Sequence, residues 1–163
     1  MPQNDEKLQK LLGEIEKLNA RHELSGNLPE LYFEPGMMEN LDRFYGSFDE
    51  ATGTAVIRTE VKGVRYEGRT QRLEYYREGN GVRLIRDPDN IYNSCNFAIV
   101  SEAGENLGNL AAELCNAIAL LYDDGRLSFE SSFISYMERI GDRSRYARQG
   151  ILFIEIRMKI DSL

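Results

Sequence analysis

Across residues 7–19, apolar side chains fall at Leu8, Leu11, Leu12, Ile15 and Leu18, the three-and-four spacing of one helix face, and charged residues take the other. This predicts an acidic amphipathic helix docked on its own domain. The same face leaves open a homodimer through a short coiled coil, although two heptads are fewer than a persuasive zipper needs. From residue 25 to 53 the chain is punctuated by Gly26, Pro29, Pro35, Gly36, Gly46 and Gly53 yet keeps Leu31, Tyr32, Phe33, Met37, Met38, Leu41, Phe44, Tyr45 and Phe48. So many apolar groups predict an ordered extension, with a short helix over 37–44 and a turn in FDEATG, rather than a free linker.

After Gly53 the period shortens to that of strands, over residues 54–61, 82–86, 97–100, 127–136 and 151–160. In the last of these, Ile154, Ile156, Met158 and Ile160 alternate with Glu155, Arg157 and Lys159, which predicts an antiparallel strand with one wet face. Gly79-Asn80-Gly81 reads as a hairpin turn. A helix is expected over 110–123, capped by Asn109, with Leu110, Leu114, Ala117, Ile118 and Leu121 on its buried side and Gly125 ending it. Strands and one helix without βαβ alternation predict a mainly β, α+β fold: an OB-like antiparallel β-barrel with one capping helix, preceded by the N-terminal helix and ordered extension. The expected division is an acidic helix and extension in residues 1–53 and the barrel domain in 54–163.

A chain of 163 residues is enough for one domain that buries about 70% of its unfolded surface without staples. Cys95 and Cys115, with neither CxxC spacing nor partner histidines, suit a reducing compartment, and a cytoplasmic location is expected. No apolar run approaches a membrane span, and the polar start MPQNDEKLQK predicts no secretory signal.

Net charge is −7, but it is unevenly spread: residues 1–53 hold 5 basic and 11 acidic side chains, and 54–163 hold 15 and 16. Within the second part, residues 58–86 carry 8 basic side chains against 4 acidic ones. General coating of duplex by so acidic a chain is excluded, whereas a small directed nucleic-acid site is not. Two strand-turn units in that region mix basic and aromatic groups. In the first, GVRYEGR, Arg65 can fork two hydrogen bonds onto a phosphate and Tyr66 can stack on a base, unless Arg65 is a solvated strand residue and Tyr66 a core aromatic. In the second, RDPDNIYN, Pro88, Asp89 and Asn90 supply turn chemistry ahead of Tyr92 and Asn93, and Asn96 opens the next strand.

Other chemistry has little support. His22 is the single histidine, at the end of an acidic helix, which argues against zinc or a histidine-based triad. Asp123-Asp124 reads as turn acid closing a helix, and the Gly79-Asn80-Gly81 turn lacks the Lys-Ser/Thr of a phosphate loop. No cofactor, metal or catalytic activity is expected, and with no ATPase motif, motor or nuclease work would fall to a separate chain.

The blocks GVRYEGR, RLIRDPDNIYNSCNFAIV and ENLGNLAAELCNAIALLYDDGRLSFESSF, in this order, resemble the HIRAN domain family over roughly residues 54–160. The resemblance implies a barrel that binds single-stranded DNA or DNA 3′ ends, in the best understood members by gripping a free 3′ hydroxyl end, in DNA repair or processing. Arg65 and Tyr66 match the family's contacts to phosphate and base, and Tyr92 matches the tyrosine that stacks on the terminal nucleotide. Asn90 matches the turn asparagine. Asn93 takes the position usually held by an aspartate that receives the hydroxyl, Asn96 matches the asparagine opening the next strand, and Asn109 stands in for a residue that approaches phosphate. Departures are Glu67 for a second tyrosine, Ile91 for a proline, and one extra residue in Ser94-Cys95. They sustain an alternative in which the DNA site has degenerated and the chain is a protein-interaction module recruiting a partner through residues 1–53.

Overall fold

The computed structural model describes residues 5–24, 44–64, 72–139 and 150–161, the backbone alone for 21–24. In chain order these residues form α1 (Glu6–Leu24), β1 (Tyr45–Asp49), β2 (Thr54–Glu60), β3 (Val82–Asp87), β4 (Asn96–Ser101), β5 (Asn106–Asn109), α2 (Ala112–Asp123), β6 (Leu127–Glu138) and β7 (Ile151–Ile160), with a 3-10 turn at Leu73–Tyr75. The expected helix over 37–44 lies outside the described residues except for Phe44.

The alternation read in the last strand is what places β7 in the middle of a sheet: Leu152, Ile154, Ile156, Met158 and Ile160 are buried, and the strand pairs with both β2 and β6. The order is β1-β2-β7-β6 in one antiparallel sheet and β3-β4-β5 in a second. The two sheets are joined at their edges by isolated bridges, Lys62 to Asn109 and Gly81 to Phe133. Among the described residues, pairings therefore pass round the core through β2, β7, β6, β3, β4 and β5, but at both seams the ladder shrinks to a single bridge. The expected antiparallel architecture is present as two bridged sheets, not a barrel closed by continuous ladders.

At the first seam Lys62 and Asn109 exchange both backbone hydrogen bonds at 2.8 Å. Gly108 makes this approach possible: its φ is +149°, and a Cβ there would lie 2.5 Å from both the Lys62 carbonyl oxygen and Val61 Cγ1. Gly108→Val is expected to cost about 3 kcal/mol through overpacking and backbone strain, read as a lower urea midpoint; an unchanged midpoint would contradict the seam.

The core gathers the inner faces of both sheets and of both helices. Phe97 of β4 meets Tyr122 of α2 and Phe129 of β6 edge-on, at 5.2 and 5.5 Å between ring centroids. The apolar face of α1 is spent within the chain: Leu8, Leu11, Leu12 and Ile15 are buried in this core, so it is not offered to a second copy as a homodimer would require. The Gln9 side chain donates to the Phe44 carbonyl at 2.8 Å, tying α1 to the start of β1.

Part of the expected extension is itself sheet, because β1 pairs along its length with β2. FDEATG makes the hairpin turn between them, where the Ala51 N–H donates to Asp49 Oδ1 at 3.0 Å and the Gly53 N–H to the Asp49 carbonyl at 2.9 Å. The helix expected over 110–123 begins at Ala112, and Asn109 is not its cap; Asn109 ends β5 and its side chain is engaged elsewhere. The block that reads as an approach to the helix contains a four-residue strand.

Candidate nucleic-acid interface

The turn between β3 and β4 is built by one arginine. Arg86, at the end of β3 with its side chain 14% exposed, forks onto Asp123 of α2, Nε to Oδ1 at 2.9 Å and Nη2 to Oδ2 at 3.1 Å. Its Nη1 donates to the carbonyls of Ser94 at 2.6 Å and Asn96 at 3.2 Å. The guanidinium also lies over the Phe97 ring, 5.6 Å from its centroid. A planar five-donor fork alone can hold a helix end, a turn and a strand start together.

The asparagines brace the same turn from inside. Asn90 Oδ1 accepts from the N–H groups of Tyr92 at 3.0 Å and Asn93 at 3.1 Å, and its Nδ2 donates to Asp87 Oδ2 at 3.2 Å. Asn93 Oδ1 accepts from the Cys95 N–H at 2.9 Å, while its Nδ2 donates to Asn116 Oδ1 at 3.0 Å. The Asn96 side chain is buried and donates to Asp87 Oδ2 at 3.2 Å and to Asn109 Oδ1 at 3.0 Å. Asn90, Asn93, Asn96 and Asn109 are thus brought together around Asp87 and Asn116. Neither Asp87 nor Asn116 stands out in the sequence.

What this bracing presents to solvent is a pair of apolar side chains. Ile91 is 86% exposed and Tyr92 88% exposed at the turn's tip. An apolar ring held out by a rigid polar turn can receive the face of a base. Arg65 and Tyr66 lie outside the described residues, as does Glu67. Lys62, just before them, is half exposed and is held beside Asn109 by the seam, with a longer 3.5 Å contact to Glu60.

The described basic residues of the stretch 58–86 do not form one surface. Arg58 pairs with Glu155 at 2.8 Å on the four-stranded sheet, Arg72 lies 3.7 Å from Glu105, and Arg86 serves the turn. Arg77 and Arg83 are exposed, on either side of the Gly79-Gly81 turn. Counting charges along the chain could not distinguish cations already engaged by carboxylates from those still open to a phosphate.

Both thiols are buried, and burial pushes Cys95 up to about 11 and Cys115 up to about 12 from an ordinary 9.0. The folded chain therefore keeps protons that the unfolded chain releases above pH 9.0, so their contribution to stability is lost as pH rises from 9.0 towards 12. Alkylation by iodoacetamide at pH 8 is expected to be slow in the native protein and fast in urea; rapid native labelling would refute the burial of these thiols.

Among the described residues no group of histidine, cysteine and carboxylate side chains is arranged to hold a metal, and no helix is long and apolar enough to cross a membrane.

A family model described as the HIRAN domain matches residues 55–147. Among solved structures, the crystal structure of the HIRAN domain of human HLTF is similar at 22% identity, covering 66% of this chain and 81% of that one, with a TM-score of 0.44. A Lactobacillus plantarum protein is similar at 22% identity, covering 64% and 98%, with a TM-score of 0.46. The HLTF HIRAN domain in its DNA-bound conformation, solved by NMR, is similar at 20% identity, covering 64% and 75%, with a TM-score of 0.42. No curated protein matches the chain.

Proposed function

The chain belongs to the HIRAN domain family, and we propose from this that it is a non-catalytic module that binds single-stranded DNA at 3′ ends, in DNA repair or processing. The observation that carries the reading is the exposed Tyr92 ring on a turn cross-braced by Arg86, Asp87 and Asn90. One exposed ring beside an exposed aliphatic suits a splayed, unpaired base; duplex DNA keeps its base faces stacked. Membership of a family in which the HLTF HIRAN domain has a DNA-bound conformation supports the nucleic-acid class.

Phosphate would be met at the side of the turn where Lys62 is held beside Asn109, with Arg65 next along the chain. The turn and the end of α2 beside it are acidic, with Asp87, Asp89 and Asp123 against Arg86. The strand's charged backbone therefore approaches from the Lys62 side and its uncharged terminus reaches the turn.

Fluorescence anisotropy with short 5′-labelled oligonucleotides tests this. Affinity should fall as salt rises, with a slope of about −0.7 per phosphate neutralised, and single strands with a free 3′ hydroxyl should bind more tightly than blunt duplex. Absence of binding below ~100 μM at low salt would be weaker than ordinary nonspecific association and would end the proposal.

A further inference from the structure

Asn116 sits on the apolar face of α2, 2% exposed, and Asn19 of α1 is fully buried against it. An amide in such a place loses more by leaving water than it gains unless its hydrogen bonds are made. Asn19 Nδ2 donates to two backbone carbonyls of α2, those of Asn116 at 2.7 Å and Ala117 at 2.8 Å. Asn116 Oδ1 in turn accepts from Asn93 Nδ2 at 3.0 Å. The direction of these bonds is forced. The Cys95 N–H can only donate, so Asn93 must turn Oδ1 towards it; Nδ2 then faces α2, and Asn116 must answer with oxygen.

Resting on the DNA-end reading above, we propose that Asn116, clamped by Asn19, is a positioning residue for end recognition. It fixes the carboxamide of Asn93 beside Tyr92 so that a neutral donor and acceptor, rather than a charge, meets the end of the strand. One lone pair of Asn93 Oδ1 and one hydrogen of Nδ2 remain beyond the bonds to Cys95 and Asn116. A terminal hydroxyl can use either. A terminal phosphate adds negative charge beside Asp87, Asp89 and Asp123, and is disfavoured. The helix that anchors this arrangement lies outside residues 55–147, so the N-terminal region contributes to end selectivity without touching the strand.

The test compares anisotropy titrations of the full chain with oligonucleotides ending in a 3′ hydroxyl or a 3′ phosphate. The wild-type chain should prefer the hydroxyl end by about five- to tenfold, the worth of a little over one net hydrogen bond. Asn116→Ala should lower the ratio about three- to fivefold, leaving only what the neighbouring carboxylates maintain, while the thermal transition stays cooperative, and Asn116→Asp, which keeps an acceptor for Asn93, should hold it within about twofold of wild type. Asn19→Ala should lower the ratio in the same direction. If the Asn116→Ala cavity unfolds the chain, Asn116→Leu takes its place.

A structural role alone would alter stability without altering the ratio, so a folded Asn116→Ala or Asn116→Leu chain with unchanged end preference overturns the proposal and leaves the DNA reading standing. If the wild-type chain binds neither oligonucleotide, both are overturned. A side-chain amide resonance of Asn93, assigned through Asn93→Asp, should move in Asn116→Ala and stay near its place in Asn116→Asp; a resonance indifferent to Asn116 overturns the relay without any DNA present.

Discussion

Replacing Tyr92 with alanine should weaken binding of a single-stranded oligonucleotide by about five- to 150-fold, since stacking of one base is worth about 1–3 kcal/mol. Stability should scarcely change, because the ring is 88% exposed and adds nothing to the core. The backbone N–H of Tyr92, which Asn90 holds, is kept in the variant. Tyr92→Phe retains the ring and should bind within about threefold of wild type, the cost of at most one weak hydrogen bond. If Tyr92→Ala binds as tightly as the unmodified chain, the tip of the turn is not where the base sits.

Arg86→Met should instead damage the fold. It removes a two-pronged ion pair to Asp123 and two hydrogen bonds to turn carbonyls from a side chain only 14% exposed. Because Asp123 is 46% exposed and can rehydrate, the expected loss is about 2–4 kcal/mol, below that of a fully buried broken pair. Arg86→Lys should not rescue it, since an ammonium cannot span the carboxylate and both carbonyls. Urea unfolding reads the outcome. Were Arg86 a phosphate ligand, stability would survive and the salt dependence of binding would flatten by about one phosphate.

The contrast between these two positions shows what a sequence can disclose. Tyr92 comes after a Pro-Asp-Asn turn at the end of an alternating strand, and turn chemistry of that kind pushes a residue outward on local grounds alone. The same local logic finds β2, β3, β4, β6, β7 and both helices, whose apolar periods are long enough to be unambiguous. It misses β1, where YGSFD carries too little alternation, and β5, whose four residues become a strand only by pairing with β4 and Lys62. Asn109 resembles a cap because it stands directly before an apolar helical run, the local signal by which caps are recognised. Its actual partner, Asn96, lies behind it on another strand. Asn116 reads along the chain as a polar interruption of an apolar helix face, and nothing local signals that Asn93 and Asn19 close round it. Arg86 likewise counts as one positive charge in a stripe until α2 brings Asp123 to it. Arg65 and Tyr66 keep the roles the family resemblance implies, as part of the proposal.

The place of β7 also sets an order of events in time. It is the last of the described strands to leave the ribosome, yet it is the one to which β2 and β6 both pair, Ile57 opposite Ile156 and Ile134 opposite Ile154. While it is being synthesised, β2 and β6 each hold a bare edge towards the gap it will fill, the kind of edge that recruits stray chains. Insertion then closes a contact spanning most of the described chain, which makes assembly of this sheet slow and its unfinished form the state a chaperone would meet.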